Sequence, residues 1–337
     1  MHSIAPFCLI VAKRAKRTGG FFLQVEMLQG ALQIHADKRF VGWRLDDFMI
    51  RQLQLPANDV AQLFARKCVR KGSHVADAAV TLDAKTKITL VDPAPRLAKV
   101  SAAVTAPPIL FEDDHVLVVH KAPGLIIHAE DPQTPTLDQQ VAAYYEYTGQ
   151  ASPVLHVHRL DRPTTGAVVY AKHRFIARAL DYQLTARQMK RRYFAVVQGA
   201  RLAKKLTVDE PIARNRHQAG LYRVSSTGKS ARTHFRVQAQ TAAPSGHLAL
   251  VKCELETGRT HQIRVHAAFL GAPIVGDKDY GGVSAIGDFP PSGQIALHAY
   301  QVTFYHPYEE QTIEVKSPLD EGWQRYLRQQ WSLEQYL

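Results

Sequence analysis

A single carboxylate stands between two guanidinium groups near the middle of the chain, in the run His158, Arg159, Leu160, Asp161, Arg162, Pro163, Thr164, Thr165, Gly166. Adjacent cations favour the charged form of an acid, and a charged acid held in place can act as a nucleophile or on a neighbouring proton. On its own the pattern has an ordinary explanation, since an Asp beside Arg in a turn is commonly a solvated ion pair or a local cap. Other combinations have weaker claims. His156 and His158 lie two apart, and His261 and His266 occur later, which admits a metal-dependent hydrolase; no carboxylate or Cys set at ligand spacing accompanies them. Gly228, Lys229 and Ser230 look like the end of a phosphate-binding loop, but position 223, where the first glycine should fall, is Arg223.

Asp161 needs elements to hold it. Apolar runs flank the polar turn, Pro153, Val154, Leu155 before and Ala167, Val168, Val169, Tyr170 after, and both read as short buried strands. Pro163 pushes Arg162 out of helical geometry, and Gly166 gives freedom where the chain re-enters a strand. The acid should sit on a rigid shelf between strands.

The 337 residues exceed one typical domain, and 46% hydrophobic content is enough for a sizeable core. The formal net charge of +12 suits a polyanionic partner, nucleic acid before membrane surface. The cations are clustered, at Arg66, Lys67, Arg70 and Lys71 and again at Arg187, Lys190, Arg191 and Arg192, which favours nucleic acid. Three scattered cysteines, Cys8, Cys68 and Cys253, form neither a disulfide framework nor a zinc pair and suit a reducing, cytoplasmic compartment. No stretch approaches the roughly eighteen apolar residues of a membrane span.

No acid precedes Glu26, while Lys13, Arg14, Lys16 and Arg17 follow a short apolar run, the wrong order for a secretory signal. Residues 1–40 are read as a flexible basic extension, or in part as an upstream segment with Met27 as the start; organellar import is the alternative. Residues 41–91 form a small basic module. It holds an amphipathic helix carrying Leu45, Phe48 and Met49, and a second helix capped by Asn58 or Asp59 that ends in the cluster Arg66, Lys67, Arg70, Lys71 before Gly72. Cations there complement the helix dipole and also offer contacts to phosphate. Residues 92–108, with Pro93, Pro95, Pro107 and Pro108, are a linker. Residues 109–337 are the second domain. Helices are expected from Thr136 to Gly149, around Ile176 to Leu184 with a very basic end, and after an N-cap at Thr260. Strands are expected at 116–120, 193–197 and 249–255. Without a regular βαβ rhythm, the mixture argues α+β.

Four separated stretches, 112–128, 158–172, 228–233 and 255–280, together with Leu297, His298, Ala299 and Phe304, His306, Pro307, resemble the RluA-type RNA pseudouridine synthases. The resemblance covers most of residues 109–310. The module at 41–91, with Arg44, Leu45, Asp46 and the basic helix before Gly72, resembles the alpha-L (ribosomal-protein-like) RNA-binding domain. It differs in having Lys85 and Thr86 where Gly and Asp are usual.

The resemblance implies a pseudouridine synthase fold with a central mixed, mainly antiparallel sheet. It implies that Asp161 is the catalytic carboxylate and that Arg159 helps fill the space of a flipped nucleotide. Tyr193 would stack on the uracil and help handle its C5 proton, and Arg264 would pair with Asp161. Pro163 and Thr165 replace the usual Asp and Ser, and Ala122 with Pro123 inverts the usual order after Lys121. The reaction breaks N1–C1′, turns the base and joins C5 to C1′. It involves no redox change or phosphate transfer, so no cofactor and no metal are expected. The expected partner is RNA, with large-subunit ribosomal RNA ahead of transfer RNA, and the chain should act as a monomer. A binding-only RNA protein is the non-enzymatic alternative.

Overall fold

The computed structural model describes residues 23–28, 30–92, 104–131, 133–244 and 246–333. The linker expected at 92–108 falls largely outside these residues, as does the tail before residue 23.

Near the N-terminus lie β1 (Gln24–Leu28), β2 (Ala31–His35), α1 (Leu45–Arg51), α2 (Ala57–Ala65), β3 (Val69–Lys71), β4 (His74–Val75) and β5 (Lys87–Val91). The strands form one sheet in the order β1-β2-β5-β3-β4. Residues 24–28 and 31–35, assigned from sequence to a flexible extension, are therefore paired strands of this sheet; alternation buries Leu32 and Ile34. Asn58 and Asp59 do not cap α2, whose N-cap is Pro56 without a side-chain bond. Where Gly-Asp was missing, Asp83 makes the turn: it accepts from Lys85 N at 3.0 Å, and its own N–H donates to Thr86 Oγ1 at 2.8 Å.

The rest of the chain builds a ten-stranded sheet. Its elements are β6 (Ile109–Glu112), β7 (Val116–Lys121), α3 (Leu137–Tyr147), β8 (Leu155–His156), β9 (Thr165–Ala171), α4 (Arg174–Thr185), β10 (Lys190–Gly199) and β11 (Lys205–Asp209). The small pair β12 (Ile212–Arg214) and β13 (Tyr222–Val224) stands apart. Then come β14 (Arg232–Ala243), β15 (Gly246–Leu255), α5 (Gln262–Phe269), β16 (Leu297–His306), β17 (Gln311–Lys316) and α6 (Glu321–Trp331). The order is β11-β14-β15-β10-β16-β9-β7-β6, with β17 on β16 and β8 on β9. The pairing is antiparallel except between β9 and β16, so the sheet is mixed and mainly antiparallel, an α+β fold.

All seven residues of β9 are buried because both faces of the sheet are covered. Val168 and Tyr170 join one core with α3 and α6. Ala167 and Val169 join another, shared with α4, Val302, Phe304 and the N-terminal Leu45, Phe48 and Met49. Polar contacts add to this packing: Gln52 Nε2 donates to Glu310 Oε1 (2.7 Å) and Gln183 Nε2 to Gln54 Oε1 (2.8 Å). Helix α3 starts at Thr136 with the reciprocal cap of its Gln139. The very basic stretch expected to end α4 lies beyond it: Lys190, Arg191 and Arg192 belong to β10, where alternation sends them to different faces.

Candidate active site

Asp161 sits in a tight turn where the chain passes into β9; Thr164 N donates to its carbonyl at 3.0 Å. Gly166 fixes the exit. Its φ is +115°, and a Cβ there would lie 2.3 Å from Ala299 O on the parallel neighbour β16. Residues 121–125 brace the turn from below. The Arg162 carbonyl accepts from Gly124 N (2.9 Å) and from Lys121 Nζ (3.0 Å), and Arg162 Nε donates to Gly124 O (3.0 Å). Lys121 is fully buried and also donates to the carbonyls of Ala122 and Leu125. Burial pulls its ammonium down to about 7, with the Asp161 carboxylate opposing. Arg162, read from sequence as a flanking cation, is thus a brace of the turn.

Tyr193 reaches the same place from β10. Strand order puts β16 between β9 and β10, and the β10–β16 register shifts between Arg192 and Phe194, so Tyr193 lies at a bulge. Bulges re-aim side chains beside active sites. Tyr193 is 4% exposed, and burial raises its phenol pKa, with Arg191 opposing and Asp161 adding to the rise. The ring therefore stays neutral at physiological pH.

Arg264 arrives from α5. Thr260 is not the cap of this helix; His261 occupies that position in the left-handed region (φ 57°) without a side-chain cap bond. That conformation turns the His261 ring toward the acid, with Nε2 4.0 Å from Asp161 Oδ1 and Nδ1 2.8 Å from Tyr280 Oη. Burial lowers the His261 pKa, and Asp161 works against that fall. Arg264 is buried rather than at the edge of the helix face. Its Nη1 stands 3.9 Å from Asp161 Oδ2, an ion pair without a hydrogen bond. Its hydrogen bonds go elsewhere: Nε and Nη2 each donate to Asp277 at 2.7 Å, and Nη2 donates to Asp279 at 2.8 Å. The guanidinium also lies over the Tyr280 ring, 4.8 Å from its centre. Burial works against its charge, but the Asp277 bonds and the Asp277 and Asp161 carboxylates hold its pKa above the ordinary value.

These side chains meet at a cleft of about 790 Å³ lined by Asp161, Tyr193, Arg159, Arg187, Arg191 and Arg259 among others. That is within the range of small-molecule sites. Asp161 remains 23% exposed into it. Arg159, Arg187 and Arg259 are exposed at its mouth, while Arg191 is buried and donates to Thr257 O at 3.2 Å. The structure thus brings Asp161, Tyr193, Arg159 and Arg264 together. It leaves Arg66, Lys67, Arg70 and Lys71 in the N-terminal module, where the first three are exposed and Lys71 is engaged with Thr81 O (3.0 Å) and Asp83 (3.2 Å).

Sequence reasoning did not assign Lys121, His261, Asp277, Asp279 or Tyr280 to the site. Asp277, Asp279 and Tyr280 fall inside the stretch 255–280 that carried the resemblance, and nothing in their spacing links them to Arg264. The histidines of the hydrolase alternative have other partners: His158 Nε2 accepts from Val169 N (3.3 Å), and His266 lies between Thr233 Oγ1 and Glu210 O. Among the described residues no group of three or more His, Cys, Asp or Glu is placed to hold a metal ion. No helix among them is long and apolar enough to cross a membrane.

Chemically, the cleft offers two partly exposed carboxylates, Asp161 with an immobilised cation behind it and a neutral phenol beside it, and Glu256 paired with Arg187, Arg232 and His234, together with exposed cations at its rim. Comparisons with known proteins point the same way. Residues 115–269 match the family model described as RNA pseudouridylate synthase. The uncharacterised RNA pseudouridine synthase YhcT of Bacillus subtilis is 46% identical over 211 residues, 62% of this chain and 68% of that protein. Ribosomal large subunit pseudouridine synthase C of Escherichia coli is 32% identical over 304 residues, 85% of this chain and 92% of that protein. Among solved structures, human RNA pseudouridylate synthase domain containing 1 superposes with a TM-score of 0.52 at 28% identity, covering 65% of this chain and 86% of that one.

Proposed function

Because the chain belongs to the RluA-type RNA pseudouridine synthases, isomerases that act on RNA, we propose that it converts uridine in large-subunit ribosomal RNA to pseudouridine with Asp161 as the reactive carboxylate. The observation that carries this reading is the placement of Asp161. It is an acid open to a cation-rimmed cleft, 3.9 Å from a guanidinium whose own hydrogen bonds fix it in place, whereas the other acid lining the cleft, Glu256, is bound by Arg187, Arg232 and His234. A binding-only protein has no use for a carboxylate facing a polyanion.

The target nucleotide must leave its stack, at a cost of a few kcal/mol. Arg159, exposed at the rim, fills the vacated space and contacts phosphate. Stacking on Tyr193, worth about 1–3 kcal/mol, offsets part of the cost. Asp161 then acts at the sugar, by attack on C1′ or by initiating elimination, and N1–C1′ breaks. The uracil turns within the cleft and C5 joins C1′. The hydrogen on C5 leaves as a proton, with the neutral Tyr193 hydroxyl beside it to relay that proton; N1 takes up a proton in exchange, and the Asp161 carboxylate is released unchanged. Arg264 stays protonated throughout and keeps the carboxylate oriented.

The ribosomal target rests on the relative from E. coli, whose match reaches past the large sheet into the N-terminal module. In this reading residues 23–91 are an alpha-L-like module, and Arg66, Lys67, Arg70 and Lys71 supply phosphate contacts away from the chemistry. The decisive experiment is Asp161→Asn. Pseudouridine formation on ribosomal RNA should vanish while affinity for the RNA stays near that of the parent; an active Asn variant would reject the assignment. Pseudouridine mapping of total RNA from cells with and without the gene identifies the target, and an unchanged ribosomal RNA pattern would reject that target.

A further inference from the structure

We propose that the reverse face of the large sheet carries a second RNA-binding site, in which Lys205, Arg236 and Lys252 hold the phosphodiester backbone of the same RNA whose uridine enters the cleft. The proposal rests on the RNA pseudouridine synthase reading and goes beyond its site.

Alternation along β10 separates two surfaces: Arg191 and Tyr193 line the cleft, so Arg192 and Phe194 point away from it. The pairing register then lays out the reverse face in rows. One row places Arg192 opposite Glu254, Glu254 opposite His234 and His234 opposite Thr207, and Arg192 Nε meets Glu254 at 2.7 Å. Farther out Arg232 sits opposite Asp209 and binds it at 2.6 Å. In both rows the sheet puts acid against base.

The row between Lys205 and Phe194 breaks this pattern. Lys205 pairs with Arg236, Arg236 with Lys252 and Lys252 with Phe194, so three cations stand directly opposite one another on three neighbouring strands. Like charges in that arrangement destabilise a sheet. The inner cation is also built into the surface. Phe194 and Tyr300 stack with centres 4.2 Å apart, and Lys252 Nζ stands over both rings at 5.4 and 5.6 Å. A groove of about 780 Å³ runs past these side chains. Burial lowers the Lys252 pKa, and the cations Arg236, Arg192 and Lys316 lower it further; a phosphate entering the groove relieves that crowding.

The shape of the row favours a strand of nucleic acid over a compact anion. Adjacent strands are about 4.8 Å apart, so the outer cations are about 10 Å apart. A linear array of that length suits successive phosphates of one strand, whose charge repeats along its axis. Lys205 lies on β11, the edge strand of the sheet, so the row of cations reaches the open edge of the reverse face.

The test uses the full chain with Lys205→Gln and Arg236→Gln combined, two exposed positions outside the cleft. Binding is measured to a protein-free transcript of large-subunit ribosomal RNA over a salt series, and to a short hairpin cut around the modified uridine. The expected result is a roughly tenfold weaker Kd for the transcript and a salt slope shallower by about two, with hairpin affinity unchanged. An unchanged transcript Kd and slope would overturn the proposal. Equal weakening for both RNAs would also overturn it, as would loss of binding to anionic vesicles or inorganic phosphate with RNA binding intact. Binding is read without chemistry. If the parent makes no pseudouridine but the double variant shows the affinity shift, the groove stands and the uridine-isomerising reading fails.

Discussion

Replacing Arg264 by Lys keeps the positive charge beside Asp161 and removes only the planar fork. In the parent, that fork makes two bonds of 2.7 Å to Asp277 and one of 2.8 Å to Asp279, which aims Nη1 at Asp161 from 3.9 Å. An ammonium on a flexible stem cannot meet both Asp277 oxygens in one plane, reach Asp279 and also hold its distance from Asp161. Asp277 is 1% exposed, so water cannot replace a missing donor. At least one charge-assisted bond to a buried carboxylate is lost, worth about 1.5–3 kcal/mol. The total should stay below the roughly 3–5 kcal/mol of deleting the charge altogether. We therefore expect urea unfolding to report about 2–3 kcal/mol of destabilisation. The ammonium will be drawn to Asp277, and if Asp161 is the reactive carboxylate as proposed, a displacement on the order of 1 Å there costs about 100-fold in rate. Single-turnover pseudouridine formation with enzyme in excess measures this without interference from product release. A Lys variant with parental stability and rate would refute the reasoning, because charge alone would then suffice and the Asp277 fork would orient nothing.

The backbone and the buried histidines give two further tests. Gly166→Ala forces a Cβ into Ala299 O at 2.3 Å from a φ of +115°; strain and overpacking together should cost about 3 kcal/mol or more and displace the Asp161 turn. A parental urea midpoint in that variant would show that β9 and β16 can part without cost. Burial depresses His115 to about 4 and His158 and His298 to about 3. Their unfolded forms take up a proton below about pH 6.5 while the folded forms stay neutral. The stability they contribute is complete above that pH and is lost as pH falls toward 4, at up to about 1.4 kcal/mol per pH unit for each histidine. Thermal melts at fixed ionic strength should therefore decline from pH 7 to pH 5, and a flat profile would exclude the effect.

Much of this molecule is legible one segment at a time. Local periodicity and cap residues located α1, α3, α4 and the strand after Asp161, because helix and strand periods are properties of neighbours in sequence; before Asp161 the buried strand expected at 153–155 is only the half-buried pair Leu155–His156. Where a boundary depended on partners elsewhere, the reading slipped. The paired strands at 24–28 and 31–35 needed β5 to bury Leu32 and Ile34, and the basic run 190–192 continued as strand because β15 and β16 flank it. The acid at 161 stood out from its own surroundings, and the separated stretches that resemble one family supplied its candidate partners. No local pattern could say that Arg264 spends its hydrogen bonds on Asp277 and Asp279. Nor could it place His261 beside Asp161, or align Lys205, Arg236 and Lys252 in one row. Those facts follow from strand order and register, which are set by long-range packing of two cores against a single sheet. Sequence alone named the candidate groups; tertiary pairing decided which of them face each other and which lie back to back.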